Sequence, residues 1–269
     1  EKSAREYGLA LPKGVLLLGV PGCGKSLTAK VIAKTWNFPL LRFDLGKVFG
    51  GIVGESERNI RQALDVAKTI APCVLWIDEI EKGLSGVNSS GSTDGGTTSR
   101  VFGTLLTWMQ EKEEPVFVVA TANDISVLPP ELMRKGRFDE IFFVDLPTEQ
   151  ERVNILKIHL ERKEREPEDF DLLKIARATV GFSGSELEEL INEALYNSFD
   201  NGRELTDSDL IECISKVCPI SKTMAETINS LRKWAKVRAR IASNHQPEEV
   251  NVEKGMPRLP QEARNPFMA

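Results

Sequence analysis

Eight residues at positions 19–26, GVPGCGKS, have the spacing G-x-x-x-x-G-K-[ST], which curls a loop around phosphate when a strand precedes it and a helix follows. Both conditions are met. The apolar run GVLLLG (14–19) comes before it and the helical pattern KSLTAKVIAKTW (25–36) after it. Glycines let the loop turn its backbone N–H groups, and the helix N-terminus, toward phosphate oxygens. The expected contact set is Gly19, Val20, Pro21, Gly22, Cys23, Gly24, Lys25, Ser26 and Leu27. Lys25 adds a point charge on the outer phosphates, and the Ser26 hydroxyl is a ligand for Mg2+.

Three further segments supply what hydrolysis needs. VLWIDEI (74–80) is an apolar run ending in two acids, and carboxylates at a strand end are costly unless they face a ligand or cation. Asp78 is expected to hold Mg2+, directly or through water, and Glu79 to orient and polarise the attacking water. VFVVATAND (116–124) places Asn123 where an amide can bond the γ-phosphate or that water. The next residues, Asp124-Ile125-Ser126, lack the Lys and Asp of the Asn-Lys-x-Asp pattern typical of guanine sites, so ATP is the expected nucleotide. PPELMRKGRFDEIFFVDLP (129–147) carries Arg134 and Arg137. Either can meet charge on a transferring phosphoryl group, an effect that contributes about 10³–10⁵ in rate. A Gly-rich turn, an acidic helix cap, a turn-forming Asn and surface ion pairs are the bland counterparts. Beside a phosphate loop the acidic cap in particular loses ground.

The elements that must position these residues are legible from hydrophobic periodicity. GVLLLG, PLLRFD, CVLWID, VFVVATA and IFFVDL are apolar at nearly every position, as strands buried on both faces are. They alternate with helical stretches such as SERNIRQALDVAKTI (56–70). This predicts an α/β fold with a five-stranded parallel, doubly wound sheet. After Pro147 the strand signal stops and the chain reads as helices to about Ile241, including SGSELEELINEALYNSF (183–199) with a Ser183…Glu186 capping box. The expected division is an α/β domain over 1–147, a small all-helical domain over 148–241 with the hinge near Leu146-Pro147, and a disordered tail over 242–269. The Gly/Ser/Thr tract 83–99 is also expected to be disordered.

Composition excludes several classes. The 269 residues, 41% hydrophobic and 28% charged, are those of a soluble globular protein. No run approaches the ~18 consecutive apolar residues of a membrane span, and no signal peptide is visible. The net charge of -5 argues against a nucleic-acid footprint over the whole surface. Cys23, Cys73, Cys213 and Cys218 form no CxxC pair and have no His at metal spacing, so they read as small buried residues in a reducing compartment. The basic stretch LRKWAKVRARIA (231–242) reads as the solvated face of a helix docked through Leu231, Trp234 and Val237. A chain that begins at Glu1 reads as a piece of a longer one.

GVPGCGKS, VGESERNIR, VLWIDEIEK, VATAND, MRKGRFD and GFSGSELEEL, in that order over about residues 8–218, resemble the AAA+ ATPases and, within them, the AAA clade of ring-forming protein remodellers. The resemblance implies the P-loop AAA+ fold with a helical lid, a self-assembled ring, most often a hexamer, and an unidentified protein substrate. It implies that Arg134 and Arg137 reach the nucleotide of a neighbouring subunit, and that Gly184 and Ser185 of GFSG give backbone contacts near adenine. His159 matches a position close to adenine and ribose, and Arg100 a basic position on the interface side. More narrowly, the chain is similar to AAA proteins of cyanobacterial and some plastid genomes known as a hypothetical chloroplast reading frame family. That implies a cyanobacterial cytoplasm or a plastid stroma.

Three departures bear on function. Val20, Cys23 and Ser26 replace usual side chains of the clade's phosphate loop while keeping its glycines and lysine, so nucleotide binding is expected to survive. Gln110-Glu111-Lys112 stand where the clade typically has Asp-Gly-Phe, a segment that signals between subunits. Ile52, after Gly50 and Gly51 and with Phe49 nearby, stands where a pore-lining residue is commonly aromatic. The leading expectation is an Mg2+-dependent, oligomeric ATPase that remodels or regulates a protein partner. The alternative is an ATP-switched binding or scaffold protein that threads no polypeptide.

Overall fold

The computed structural model describes residues 6–8, 10–45, 55–83, 95–134 and 136–243. The segment with Phe49 and Ile52, residues 84–94 of the Gly/Ser/Thr tract and the tail from residue 244 lie outside the described residues. The elements run β1 (Gly14–Gly19), α1 (Lys25–Trp36), β2 (Leu40–Phe43), α2 (Glu55–Ile70), β3 (Cys73–Ile77), α3 (Gly95–Glu111), β4 (Val116–Ala122) and β5 (Glu140–Val144). There follow α4 (Glu149–Arg162), α5 (Leu172–Ala178), α6 (Gly184–Asp200), α7 (Asp207–Lys216), α8 (Ile220–Thr223), α9 (Ala225–Arg238) and β6 (Arg240–Ile241).

The described strands form one parallel sheet in the order β2-β3-β4-β1-β5-β6. The five expected strands are all present, and β6 is an addition from the end of the stretch read as purely helical. Alternate residues of β1 enter separate cores, which is why its sequence is apolar throughout. Leu16 and Leu18 pack with Ile60 and Leu64 of α2 and Leu105 and Met109 of α3, whereas Leu17 packs with Ala29 and Ala33 of α1. With β1 between β4 and β5, the carboxyl ends of β1, β3 and β4 lie at one edge of the sheet, and the loops after them meet there.

The helices after Pro147 have a core of their own, in which Leu156 and Leu160 of α4 meet Ile175, Leu187, Leu190 and Leu210. Ser183 and Glu186 cap α6 as their spacing predicts: the Ser183 N–H donates to Glu186 Oε2 at 2.7 Å, and the Glu186 N–H to Ser183 Oγ at 3.3 Å. Arg152 of α4, 1% exposed, donates from Nη1 to the Pro147 carbonyl and from Nε to that of Ala176, both at 2.8 Å, tying this unit to the hinge.

Helix α9 packs on the α/β core instead. Leu231 and Ala235 are buried with the residues of α2 and α3, and Ile228 meets Val20 and Leu146. Of the docking residues expected for this helix, Leu231 is buried and Trp234 packs against the core, but Val237 is 80% exposed. Arg232 from the same helix grips Asp145 at the end of β5 through Nε at 3.1 and 2.8 Å and Nη2 at 2.9 Å. The Asp145 side chain is 4% exposed. Removing the guanidinium leaves a nearly dry carboxylate without its charge partner. Arg232→Met is therefore expected to cost about 3 kcal/mol of folding stability, the low end for a buried pair because Arg232 is partly hydrated. A urea midpoint within error of the parent's would show that water replaces the guanidinium.

All four cysteines are free thiols. Cys73 and Cys213 are buried as expected, Cys23 is half-buried in the phosphate loop, and Cys218 is exposed, against the reading of it as a core residue, because it follows α7 on the surface.

Candidate active site

The phosphate loop leaves β1 at Gly19 and enters α1 at Lys25. Its geometry depends on two glycines in the left-handed region. Gly22 has φ 75, and a Cβ there would stand 2.9 Å from Ser185 Oγ; Gly24 has φ 83, with nothing within 4 Å of the position of a Cβ. The first packs the loop against α6. The second opens space at the N-terminus of α1, where backbone donors are unpaired by the helix.

Lys25 is 6% exposed and folds onto its own loop, its Nζ donating to the Gly19 carbonyl at 2.9 Å and the Val20 carbonyl at 2.7 Å. Burial lowers its pKa to about 8, against the attraction of Cys23, Glu81, Asp78 and Glu79. It is still largely protonated near pH 7. Burial raises the Cys23 thiol to about 11, so this loop cysteine is a neutral, unreactive group.

The strand ends bring the remaining groups to the loop. Ser26 Oγ donates to Asp78 Oδ1 at 2.7 Å, joining the hydroxyl and the carboxylate expected to hold Mg2+. Thr121 Oγ1 donates to the same oxygen at 2.7 Å and accepts the Glu79 N–H at 2.9 Å. Glu79 has φ 49, a conformation uncommon for a residue with a side chain and one that concentrates at functional sites. Its carboxylate is engaged on both oxygens: Oε1 accepts from Asn123 Nδ2 at 3.2 Å, and Oε2 pairs with Lys82. Thr121 carried no signal of its own in the sequence. A threonine inside VFVVATA reads as an ordinary strand residue, and only the register of β3 beside β4 turns it toward Asp78.

Beside the loop lies a cleft of about 570 Å³ between the sheet and the helices that follow it. Gly22, Cys23, Gly24 and Leu27 line one end, Val144, Asp145 and Pro147 the hinge, and Ile155, His159, Gly184 and Ser185 the far wall. Gly184 and Ser185 also touch the loop: the Ser185 N–H donates to the Gly22 carbonyl at 3.0 Å. His159 Nδ1 is 3.6 Å from Glu188 Oε1, but burial lowers its pKa, so the neutral ring faces the cleft without a full ion pair. Ala242 and Ser243, at the start of the expected tail, complete the wall. The Ala242 N–H donates to the Phe143 carbonyl at 2.9 Å, and Ser243 Oγ to Glu151 Oε1 at 2.7 Å.

Arg134 and Arg137 sit between a 3-10 turn (Pro130–Met133) and β5. Arg134 is exposed and Arg137 half-buried, donating from Nη1 to the Glu131 carbonyl. Neither makes a hydrogen bond or ion pair with Lys25, Ser26, Asp78 or Glu79 of its own chain. Arg100 on α3 is exposed and lines a shallow groove with residues of α2. Pro21 and Val20 complete the loop, Val20 buried against Leu146 and Ile228. This arrangement suits a nucleoside triphosphate and Mg2+, with a glycine loop beside an adjoining hydroxyl and carboxylate and a cleft large enough for a base.

Comparison with known proteins gives the family. The model of the ATPase family associated with various cellular activities (AAA) matches residues 15–146, and that of the AAA+ lid domain matches residues 169–212. The protein named "Uncharacterized AAA domain-containing protein ycf46" of Guillardia theta is 51% identical over 244 residues, covering 90% of this chain and 48% of that protein. Its namesake in Pyropia yezoensis is 50% identical over 244 residues, covering 90% and 49%. The proteasome-activating nucleotidase of Aeropyrum pernix is 36% identical over 216 residues, covering 79% and 53%. The chain thus spans about half the length of these curated relatives. The phosphate loop on a parallel sheet, the acid pair at the end of β3 and the matched helical unit after the hinge lead to one conclusion: the chain belongs to the AAA family of ATPases.

Proposed function

We propose that the chain binds ATP with Mg2+ in this cleft and hydrolyses it as one unit of a ring, most often a hexamer in this family, that remodels or regulates a protein partner. The observation that carries the reading is the Ser26–Asp78 contact at 2.7 Å, with Glu79 and Asn123 beside it, since it assembles a metal-binding pair and a water-activating pair at one phosphate loop. Mg2+, held by Ser26 and Asp78, would neutralise charge on the phosphate oxygens. Lys25 leaves the Gly19 and Val20 carbonyls to meet the outer phosphates. Asn123 orients a water for in-line attack, and Glu79 takes its proton. The new bond joins the water oxygen to the γ-phosphorus as the bond to the β–γ bridging oxygen breaks, and ADP leaves with that electron pair.

Leu27, Ile155 and the neutral His159 would pack the base and ribose, with Gly184 and Ser185 closing over the loop. Lys25→Ala tests the site. Loss of a charge-assisted bond to phosphate is expected to weaken ATP binding about 10- to 100-fold in titration calorimetry. Parental affinity in that variant would move the nucleotide elsewhere.

The self-assembly part of the reading is supported by Arg134 and Arg137, neither of which makes a hydrogen bond or ion pair with Lys25, Ser26, Asp78 or Glu79 of its own chain. No helix among the described residues is long and apolar enough to cross a membrane. The proposed compartment is a plastid stroma or a cyanobacterial cytoplasm, in keeping with the ycf46 relatives of Guillardia theta and Pyropia yezoensis.

One observation favours a second reading, in which ATP switches partner binding with little mechanical work. Glu79 Oε2 pairs with Lys82, so in this arrangement the carboxylate is shared with a cation of its own chain and that pair opens before the oxygen meets a water. ATP-dependent loss of the native signal of a tagged, stably folded substrate supports the motor. ATP-dependent capture of that substrate without unfolding supports the switch.

A further inference from the structure

A buried acid beside the site takes no part in this chemistry. Glu81 lies in the 3-10 turn Ile80–Gly83 directly after Asp78 and Glu79 and is 9% exposed. Its Oε1 accepts the backbone N–H of Asn123 at 2.8 Å, and its Oε2 is buried with no hydrogen-bond partner among the described residues. An unpartnered buried carboxylate oxygen costs stability, so the group is retained against that cost. Nothing in the packing of the turn needs a carboxylate.

What Glu81 does hold is the place where β4 ends. The contact is the mirror of the one made by Thr121. At the end of β3 the Glu79 N–H is taken by Thr121 of β4; at the end of β4 the Asn123 N–H is taken by Glu81 beyond β3. The two bonds cross-brace the strand ends that carry the attacking-water pair. Their product is the 3.2 Å approach of Asn123 Nδ2 to Glu79 Oε1. Removing one brace leaves Asn123 at the end of a strand with its backbone donor free and its side chain unaimed.

We propose that Glu81 is a positioning residue for hydrolysis, fixing Asn123 against Glu79 by accepting the Asn123 backbone N–H. The proposal rests on the reading of Glu79 and Asn123 as the water-handling pair. It adds a residue that touches neither nucleotide nor metal. Glu81 also raises the pKa of Lys25, as Asp78 and Glu79 do, so it lies within electrostatic reach of the phosphate loop. Burial raises its own pKa, in keeping with a carboxyl kept for its acceptor oxygen more than for its charge.

The test compares Glu81→Ala, which deletes the acceptor, with Glu81→Gln, which keeps an oxygen in its place. Steady-state ATPase, ATP affinity of each protein and hydrogen exchange of the Asn123 amide are measured together. The expected result for Glu81→Ala is a kcat about 10- to 100-fold lower, as for a sub-ångström to 1 Å misplacement of a reacting group, with ATP affinity within about threefold of the parent. Its Asn123 amide should exchange faster, and Glu81→Gln should restore both kcat and protection. Parental kcat in Glu81→Ala, an equal loss of affinity and kcat, or failure of Glu81→Gln to restore either would each overturn the proposal. The exchange measurement needs no turnover. Should the parent itself hydrolyse no ATP, the ATPase reading fails, while unchanged Asn123 protection in Glu81→Ala would sink the brace on separate grounds.

Discussion

Glu79→Gln is expected to bind ATP within about threefold of the parent and to hydrolyse it about 10²–10⁴-fold more slowly, the range contributed by a positioned general base. Glutamine has the shape of glutamate and retains an oxygen for the Asn123 amide, which the carboxylate accepts at 3.2 Å. The Glu79 N–H stays on Thr121 Oγ1, so the left-handed backbone at this residue is undisturbed. What is lost is basicity, together with the charge that pairs Glu79 with Lys82. Binding is expected to be spared because the substitution leaves Lys25 and the Ser26–Asp78 pair as they are. Single-turnover hydrolysis, read against titration calorimetry, separates the two effects. An undiminished rate would remove Glu79 from the mechanism, and a matching loss of affinity would recast it as part of the metal site. Native mass spectrometry of the same variant, with and without ATP, reads assembly in the absence of turnover.

The site was legible where its chemistry is local in sequence and illegible where it is tertiary. The phosphate loop is one contiguous spacing between a strand and a helix, and the acids of VLWIDEI stand at the end of a run too apolar to be anything but a buried strand. Thr121 and Glu81 act only across β3 and β4, and a lone Thr in a strand or a Glu in a turn is too common to signal a role by its type. The strand β6 is two residues long, too short for any alternation to show, yet it lies beside β5 and leads Ala242 and Ser243 to the cleft. Val237 illustrates a wrong choice of face. Six residues beyond Leu231 it stands about 240° around the helix, whereas Ala235, four beyond, returns to the same side. Ala235 is 2% exposed, and its small side chain gave too weak an apolar signal to mark it as the docking residue.

Arg137→Ala is expected to lower ATPase activity about 10³–10⁵-fold, the contribution of an arginine finger, and to do so only in the assembled state. The loop that carries it is preset. Asp139 Oδ2 accepts the N–H groups of Lys13 and Gly14 at 2.6 and 2.9 Å, pinning the loop to the start of β1, and Lys13 Nζ donates to the Gly136 carbonyl at 2.9 Å. Arg137 is steadied by the Glu131 carbonyl, while Arg134 makes no side-chain hydrogen bond or ion pair among the described residues. A preorganised cation with no hydrogen bond or ion pair to Lys25, Ser26, Asp78 or Glu79 of its own chain is available to another copy's site. Mixing tells the two arrangements apart. Glu79→Gln subunits keep Arg137, and Arg137→Ala subunits keep Glu79, so two inactive proteins assembled together regenerate complete sites at about a quarter of their head-to-tail interfaces. Recovery of activity to that order in the mixture, absent from either protein alone, is the expected result. A mixture as inactive as its components would place the arginine's action within one chain, and a parental rate in Arg137→Ala and Arg134→Ala alike would leave both as surface residues.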